Sequence, residues 1–266
     1  MTTVIRNASW VVAYDPARDT HSYVADGDVA FEGNRLVTVG EPHQGPVTRE
    51  IDGRGLMVMP GLVDIHSHPG SEPMNKGWND DLGSPKLYNS GLYEIMPVFR
   101  PDSEGVPNSA RVAWGELMLS GVTTLVDLSV AWDGWLEAMA ASGIRGLLAP
   151  MYRSARWYTD NGHVVKYEWD EAAGLKAMER ALAIVDQAEG HPSGRMGGMI
   201  SPSQIDTCTP ELIQASLAAA RARGLKMQIH AAQSVAEFHE MTRRHGKTPV
   251  QWLSDIGALS PDTVIA

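Results

Sequence analysis

Pro60-Gly-Leu-Val-Asp-Ile-His66-Ser-His68 decides the reading of this chain. It is a short apolar run, opened by Pro-Gly, that ends in two histidines one residue apart. Side chains at i and i+2 of a strand point to the same face, so Asp64, His66 and His68 project together. Two imidazoles on one face at a strand end can supply two metal–nitrogen bonds. A His-x-His on a solvent-facing strand is the bland alternative. The apolar strand before the pair and the glycine behind it favour ligation.

Outward from this run the texture differs on the two sides. Residues 1–58 look like strands joined by turns. Thr3–Ala13 is rich in Val, Ile and Trp, and Glu32-Gly-Asn34 sits between Val29–Phe31 and Arg35–Val39 as a hairpin signal. A small all-β unit is the expectation there. Over residues 59–266 strand-like and helix-like runs alternate. Gly121–Leu128, Ile144–Pro150, Met196–Ile200, Leu225–His230 and Thr263–Ala266 read as buried strands. Between them lie helix starts: Pro107, Asp170, Thr209-Pro210-Glu211, Ser234-Val-Ala-Glu237 and Thr248-Pro249. Such alternation means β/α units and a parallel sheet. The strands are apolar throughout, as when both faces are buried. Barrel sites collect at the C-terminal ends of several strands. His66 and His68 end one strand and His230 another, so a (β/α)8 TIM-type barrel, α/β in class, gathers all three.

Composition limits the function. The chain has 266 residues and a formal net charge of −10, which argues against a nucleic-acid or anionic-membrane partner. Cys208 is the single cysteine, so no intramolecular disulfide can form, as fits a reducing compartment. No segment reads as a membrane span or a signal peptide, and a cytoplasmic protein is the expectation.

These motifs resemble the amidohydrolase superfamily, in its cytosine deaminase and triazine hydrolase branch. The resemblance implies that the all-β unit over residues 1–58 is a small β-sandwich subdomain beside the barrel. Pro60–His68 is similar to that family's first-strand motif, Gly121–Asp127 to its second strand, Ser201–Thr207 to its fourth-strand loop, and Met227-Gln-Ile-His230 to its fifth strand. The overall texture is similar to molinate hydrolase and the phenylurea hydrolases, which would imply xenobiotic degradation. The resemblance implies that His66, His68 and His230 are metal ligands. Three neutral imidazoles leave a coordination position for water, whose pKa the metal lowers. One divalent ion per chain is expected, because Met196–Ile200 holds no bridging lysine or glutamate. Zinc is the commonest choice, with iron, cobalt or nickel also suited to imidazole.

The chain departs from the pattern at Gln233, where deaminases of this branch carry a proton-shuttling glutamate. A glutamine orients water or a carbonyl but takes up no proton at neutral pH. Gln233 is thus the catalytic candidate, and the leading expectation is hydrolysis of a non-peptide C–N bond: an amide, urea or (thio)carbamate. The alternative is a deaminase or dechlorinase of a nitrogen heterocycle, and a catalytically silent assembly relative is a third reading. Ser203 and Asp206 either face substrate or cap the next helix. Trp78, Tyr152, Arg153 and Trp157 lie on loops that would overhang the barrel mouth, and with Ser203 and Asp206 they form the candidate substrate-binding set. Their aromatic character points to a small, largely apolar substrate, and homo-oligomer formation stays open. In the family, later strands carry a further histidine and aspartate. Neither precedes Ala266, and a barrel of this kind needs roughly 250 residues, so a barrel lacking its last strands, with residues following Ala266, is expected.

Overall fold

The computed structural model of the protein describes residues 1–76, 93, 100–160 and 164–266. The chain divides into two compact units, Met1–Leu62 and Val63–Ala266.

In the first unit, β1 (Thr2–Asp15) pairs antiparallel with β2 (Thr20–Glu32). β3 (Arg35–Val39) returns along β2 through the two-residue turn Gly33-Asn34, with Glu32 opposite Arg35. Gly33 has φ +57°, which a left-handed hairpin turn demands and glycine adopts without strain. β4 (Arg49–Asp52) and β5 (Met57–Val58) both run parallel to β1. Ala8, Val11 and Val29 form the buried core of this five-stranded sheet.

The second unit is built of β/α units. β6 (Leu62–Ser67) leads through the one-turn helix α1 (Glu72–Asn75) to α2 (Gly105–Leu119). β7 (Val122–Asp127), α3 (Trp135–Ser142), β8 (Arg145–Leu148) and β9 (Met151–Tyr152) follow. Next come β10 (Ala155–Tyr158) and β11 (Lys166–Trp169), then α4 (Glu171–Glu189), β12 (Met196–Gly198) and β13 (Ser201–Pro202). A 3-10 turn at Ile205–Thr207 precedes α5 (Pro210–Arg223) and β14 (Met227–Ile229). α6 (Val235–His245), α7 (Pro249–Asp255) and β15 (Thr263–Ile265) complete the described chain. The strand pairs β7·β8, β8·β12, β9·β13 and β14·β15 are parallel. Isolated parallel bridges Ile200–Met227 and Gln204–His230 carry the order on to β14. This is the α/β architecture read from the sequence.

Alternate residues of the strands enter different layers. Leu125 and Leu148 pack outward with Trp114, Trp135 and Met139 of the helices. Val126, Leu128, Ala149 and Met199 pack together in a separate cluster. Burial on both faces explains why β7 and β8 read as continuous apolar runs. β6 behaves differently: Leu62, Val63 and Ile65 are 49–62% exposed. It stands at one end of the strand order, and among the described residues no strand covers its outer edge.

Sequence reading anticipated most helix starts. Asp170, Thr209, Ser234 and Thr248 each accept a backbone N–H from the first turn of the helix they open. It missed α3, which starts at Gly134 without a side-chain cap, and the antiparallel hairpin β10–β11, read as loop. Neither carries local start chemistry. Trp135 is buried and Trp157 half-buried, so packing holds both in place.

Asp127 closes β7 inside this core. Its Oδ2 accepts both indole N–H groups, Trp114 and Trp135, at 3.1 Å each, and its Oδ1 accepts the Ser129 hydroxyl at 2.5 Å. Burial pushes this carboxyl up to about 7, against the pull of those three donors. An unfolded Asp titrates near about 3.9. Between these values the native state holds a proton that the unfolded chain has released, so the Asp127 contribution is full below about pH 4 and declines as pH rises towards 7. Asp127→Asn is expected to flatten that decline in denaturant-measured stability between pH 4 and 7; an unchanged slope would assign it to another group.

Candidate metal centre

β6 and β14 each deliver histidines from their C-terminal ends. His66 is the fifth residue of β6, His68 follows the strand, and His230 follows β14 directly. One nitrogen from each lies within 4.8 Å of the others. His68 Nε2 is 3.2 Å from His66 Nε2 and 3.2 Å from His230 Nε2. Tetrahedral zinc with nitrogen ligands at about 2.05 Å separates them by about 3.3 Å.

The backbone turns two of the rings. His68 Nδ1 donates to Leu128 O at 2.7 Å and His230 Nδ1 to Ser203 O at 2.5 Å. Carbonyls only accept, so the proton sits on Nδ1 and the Nε2 lone pair points inward. Burial pushes all three imidazoles below their ordinary pKa. His68 falls to about 4, with His230 adding to the effect; the neighbouring His68 adds to it at His66, where Asp64 opposes it. At neutral pH the cluster therefore presents three neutral donors. The Nε2 lone pairs of His68 and His230, 3.2 Å apart, repel unless a cation joins them, so the residues present fit a divalent metal.

The other candidates are placed as follows. Ser203 is buried; its carbonyl also accepts His230 N–H at 3.2 Å, and its hydroxyl donates to Gln204 Oε1. Asp206 is fully buried. Its Oδ2 accepts Trp157 Nε1–H and Tyr167 O–H, each at 2.8 Å, while Arg244 donates to its backbone carbonyl at 2.7 Å. Asp206 thus joins the β10–β11 hairpin to the turn after β13. Arg153 lies over the Trp157 ring, 5.9 Å from its centroid, and Tyr93 meets that ring edge-on at 4.8 Å. Tyr152 is buried with its hydroxyl donating to Ser216 of α5 at 2.7 Å, in the core between α4 and α5. Trp78 lies outside the described residues. Gln233 is partly buried at the start of α6.

Three residues near the cluster escaped the sequence reading. Glu237, fully buried, accepts Ala232 N–H at 2.6 Å and Gln233 N–H at 3.4 Å, and burial pushes its carboxyl up to about 7. It holds Ala232 at φ +62°, an uncommon backbone for alanine, and thereby sets the loop that carries Gln233. The Ser234–Glu237 spacing announced a capping box, but the carboxylate reaches past the cap to these two amides. Tyr167 escaped notice with its hairpin. Gln228 shares a strand face with His230 two residues on, a spacing that could have singled it out.

With the site described, the comparisons with known proteins can be placed. The amidohydrolase family model matches residues 57–266, and the chain belongs to this family. Curated relatives include the 5-methylthioadenosine/S-adenosylhomocysteine deaminase 2 of Archaeoglobus fulgidus, 29% identical over 90% of this chain and 53% of its own length. The 5'-deoxyadenosine deaminase of Methanosarcina mazei is 28% identical over 99% of this chain and 56% of its own. The chain thus spans about half the length of these relatives. They are deaminases, not molinate or phenylurea hydrolases, and give no support to xenobiotic degradation. Among solved structures, zinc-bound atrazine chlorohydrolase TrzN from Arthrobacter aurescens TC1 aligns with TM-score 0.72 at 22% identity, over 99% of this chain and 60% of that one. A zinc-bound adenosine deaminase from Xanthomonas campestris aligns with TM-score 0.75 at 18% identity, over 99% and 56%. At these identities the likeness establishes the shared fold. Among the described residues no helix is long and apolar enough to cross a membrane.

His68→Ala and His230→Ala are each expected to lower bound zinc from near one equivalent to well below it, measured by elemental analysis of protein dialysed against buffered zinc. Full retention in both would overturn the metal centre.

Proposed function

We propose that the protein containing this chain is a metal-dependent hydrolase that displaces an exocyclic amino group from a nitrogen heterocycle, with an adenosine-type nucleoside as the first substrate to try. The observation that carries this is the convergence of His66, His68 and His230 on one point. The deaminase relatives support the choice of bond. A divalent ion bound there supplies Lewis-acid polarisation and lowers the pKa of a coordinated water.

The chain's own residues supply orientation and polarity. The Leu128 and Ser203 carbonyls hold the His68 and His230 rings. Gln204 Nε2, Asp206 Oδ1 and Gln233 Nε2 are buried and without partners. Buried polar atoms are paired in most proteins. Their concentration on the segments around His230 favours a heteroatom-rich ligand over the largely apolar one expected from the aromatic loops.

Gln233 favours a second reading. The leaving nitrogen needs a proton in either reaction, as ammonia or as an organic amine, and an amide side chain carries none to it. What suits Gln233 to an amide, urea or carbamate is that its amide can donate to a substrate carbonyl oxygen, while the leaving amine takes its proton from the attacking water. The two readings part on product. The intact protein, loaded with zinc, is expected to release ammonia from 5'-deoxyadenosine. An organic amine released from a substituted urea or carbamate, with no ammonia from nucleosides, would establish the second reading instead. Under the first, Gln233→Glu is expected to raise ammonia release on the order of 10²-fold, the usual worth of a placed general acid–base; no gain would mean that another group already moves the proton.

A further inference from the structure

His66 is held differently from its two neighbours. His68 and His230 turn Nδ1 to main-chain carbonyls, which no substitution removes. His66 turns Nδ1 to a side chain, the amide of Gln228, with Nε2 of that amide at 3.1 Å. The same Nε2 donates to Ile65 O at 3.1 Å. Gln228 is 1% exposed, and its Oε1 is buried with no partner. Its main chain is fixed in β14, where its N–H donates to Ile200 O at 2.8 Å. The side chain therefore runs from β14 to β6, linking residues more than 160 positions apart. β6 stands at the end of the strand order, paired with β7 on one side, and this link joins it to β14 as well.

We propose that Gln228 is the positioning residue of the His66 imidazole: its amide is bonded to Ile65 O and Nδ1 through Nε2 here, and when the metal binds it turns to give Nδ1–H its oxygen instead, releasing Ile65 O, so that the His66 Nε2 lone pair faces the metal. A carboxamide carries a donor and an acceptor side by side, so it can meet Nδ1 in either tautomer. With the donor nitrogen facing Nδ1, the ring proton belongs on Nε2. Ligation through Nε2 requires it on Nδ1, and the unpartnered Oε1 is the acceptor which that tautomer needs. Rotation about the broad terminal torsion of glutamine brings Oε1 to Nδ1 in exchange for the Nε2 contact to Ile65 O. An aliphatic side chain would leave the Nδ1–H buried and unsatisfied in the ligating tautomer, at a cost to metal affinity rather than to the fold alone.

The inference rests on the metal-centre reading, and the test separates the two. Zinc affinity of the intact apo-protein is measured by competition with a chromogenic chelator, beside thermal unfolding of the same apo sample. Gln228→Met keeps the length and removes both polar atoms; it is expected to bind zinc about 10- to 100-fold more weakly. Gln228→Glu keeps an acceptor for Nδ1–H and is expected to recover at least about tenfold of that loss. Should Gln228→Met fail to fold, Gln228→Asn stays polar but is one methylene short of His66, and the same weakening is expected. Zinc affinity unchanged in the Met or Asn variant, whatever happens to the melting temperature, marks a purely structural tether and overturns the proposal. So does equal loss in the Met and Glu variants. A native protein that binds no zinc would instead bring down the metal centre itself.

Discussion

Three imidazole nitrogens converge on one point, two of them as lone pairs 3.2 Å apart that repel each other, and β6 and β14 of the second unit hold them there. The two strands lie far apart in sequence. The 3.2 Å separations depend on where β6 and β14 stop. Two rings are held by carbonyls of the strand-end loops after β7 and β13, so the metal site and the parallel sheet are one construction. Shifting either strand by a residue would turn its histidines to the opposite face.

Buried carboxylates do much of the remaining positioning. Asp127 gathers two tryptophans and Ser129 at the end of β7, next to Leu128, whose carbonyl turns His68. Asp206 pins the β10–β11 hairpin by Trp157 and Tyr167, three residues beyond the Ser203 carbonyl that turns His230. Glu237 holds the Ala232-Gln233 loop by two backbone amides. In each case burial raises the carboxyl pKa, and fixed donors compensate part of that cost. These acids hold loops in place around the cluster.

Under the proposed function, Gln233 is an amide at the position where the family resemblance puts a proton-shuttling glutamate. Glu237, one helical turn on, is a carboxylate near neutrality, but its oxygens are taken by backbone amides. Both readings need a proton on the leaving nitrogen, and they divide on the product released.

Much of the fold was legible because its signals are local. Hydrophobic runs of strand length, caps such as Thr209-Pro210 and Thr248-Pro249, and the Gly33-Asn34 turn announce themselves within a few residues, since backbone hydrogen bonding and steric limits act at that range. The His-x-His at the end of an apolar run and a third histidine ending another strand, read with the family resemblance, were enough to single out the three candidate ligands that the structure brings together. What local pattern did not carry was every partnership made across the sheet. Nothing near Asp206 tells of Trp157 or Tyr167, and nothing near Gln228 tells of Ile65 and His66. Tyr152 reads as a mouth residue on its loop, yet its hydroxyl meets Ser216 in the core. Those pairings exist because parallel strands bring distant chain ends side by side, and the identity of the neighbour is settled by packing, not by spacing along the chain.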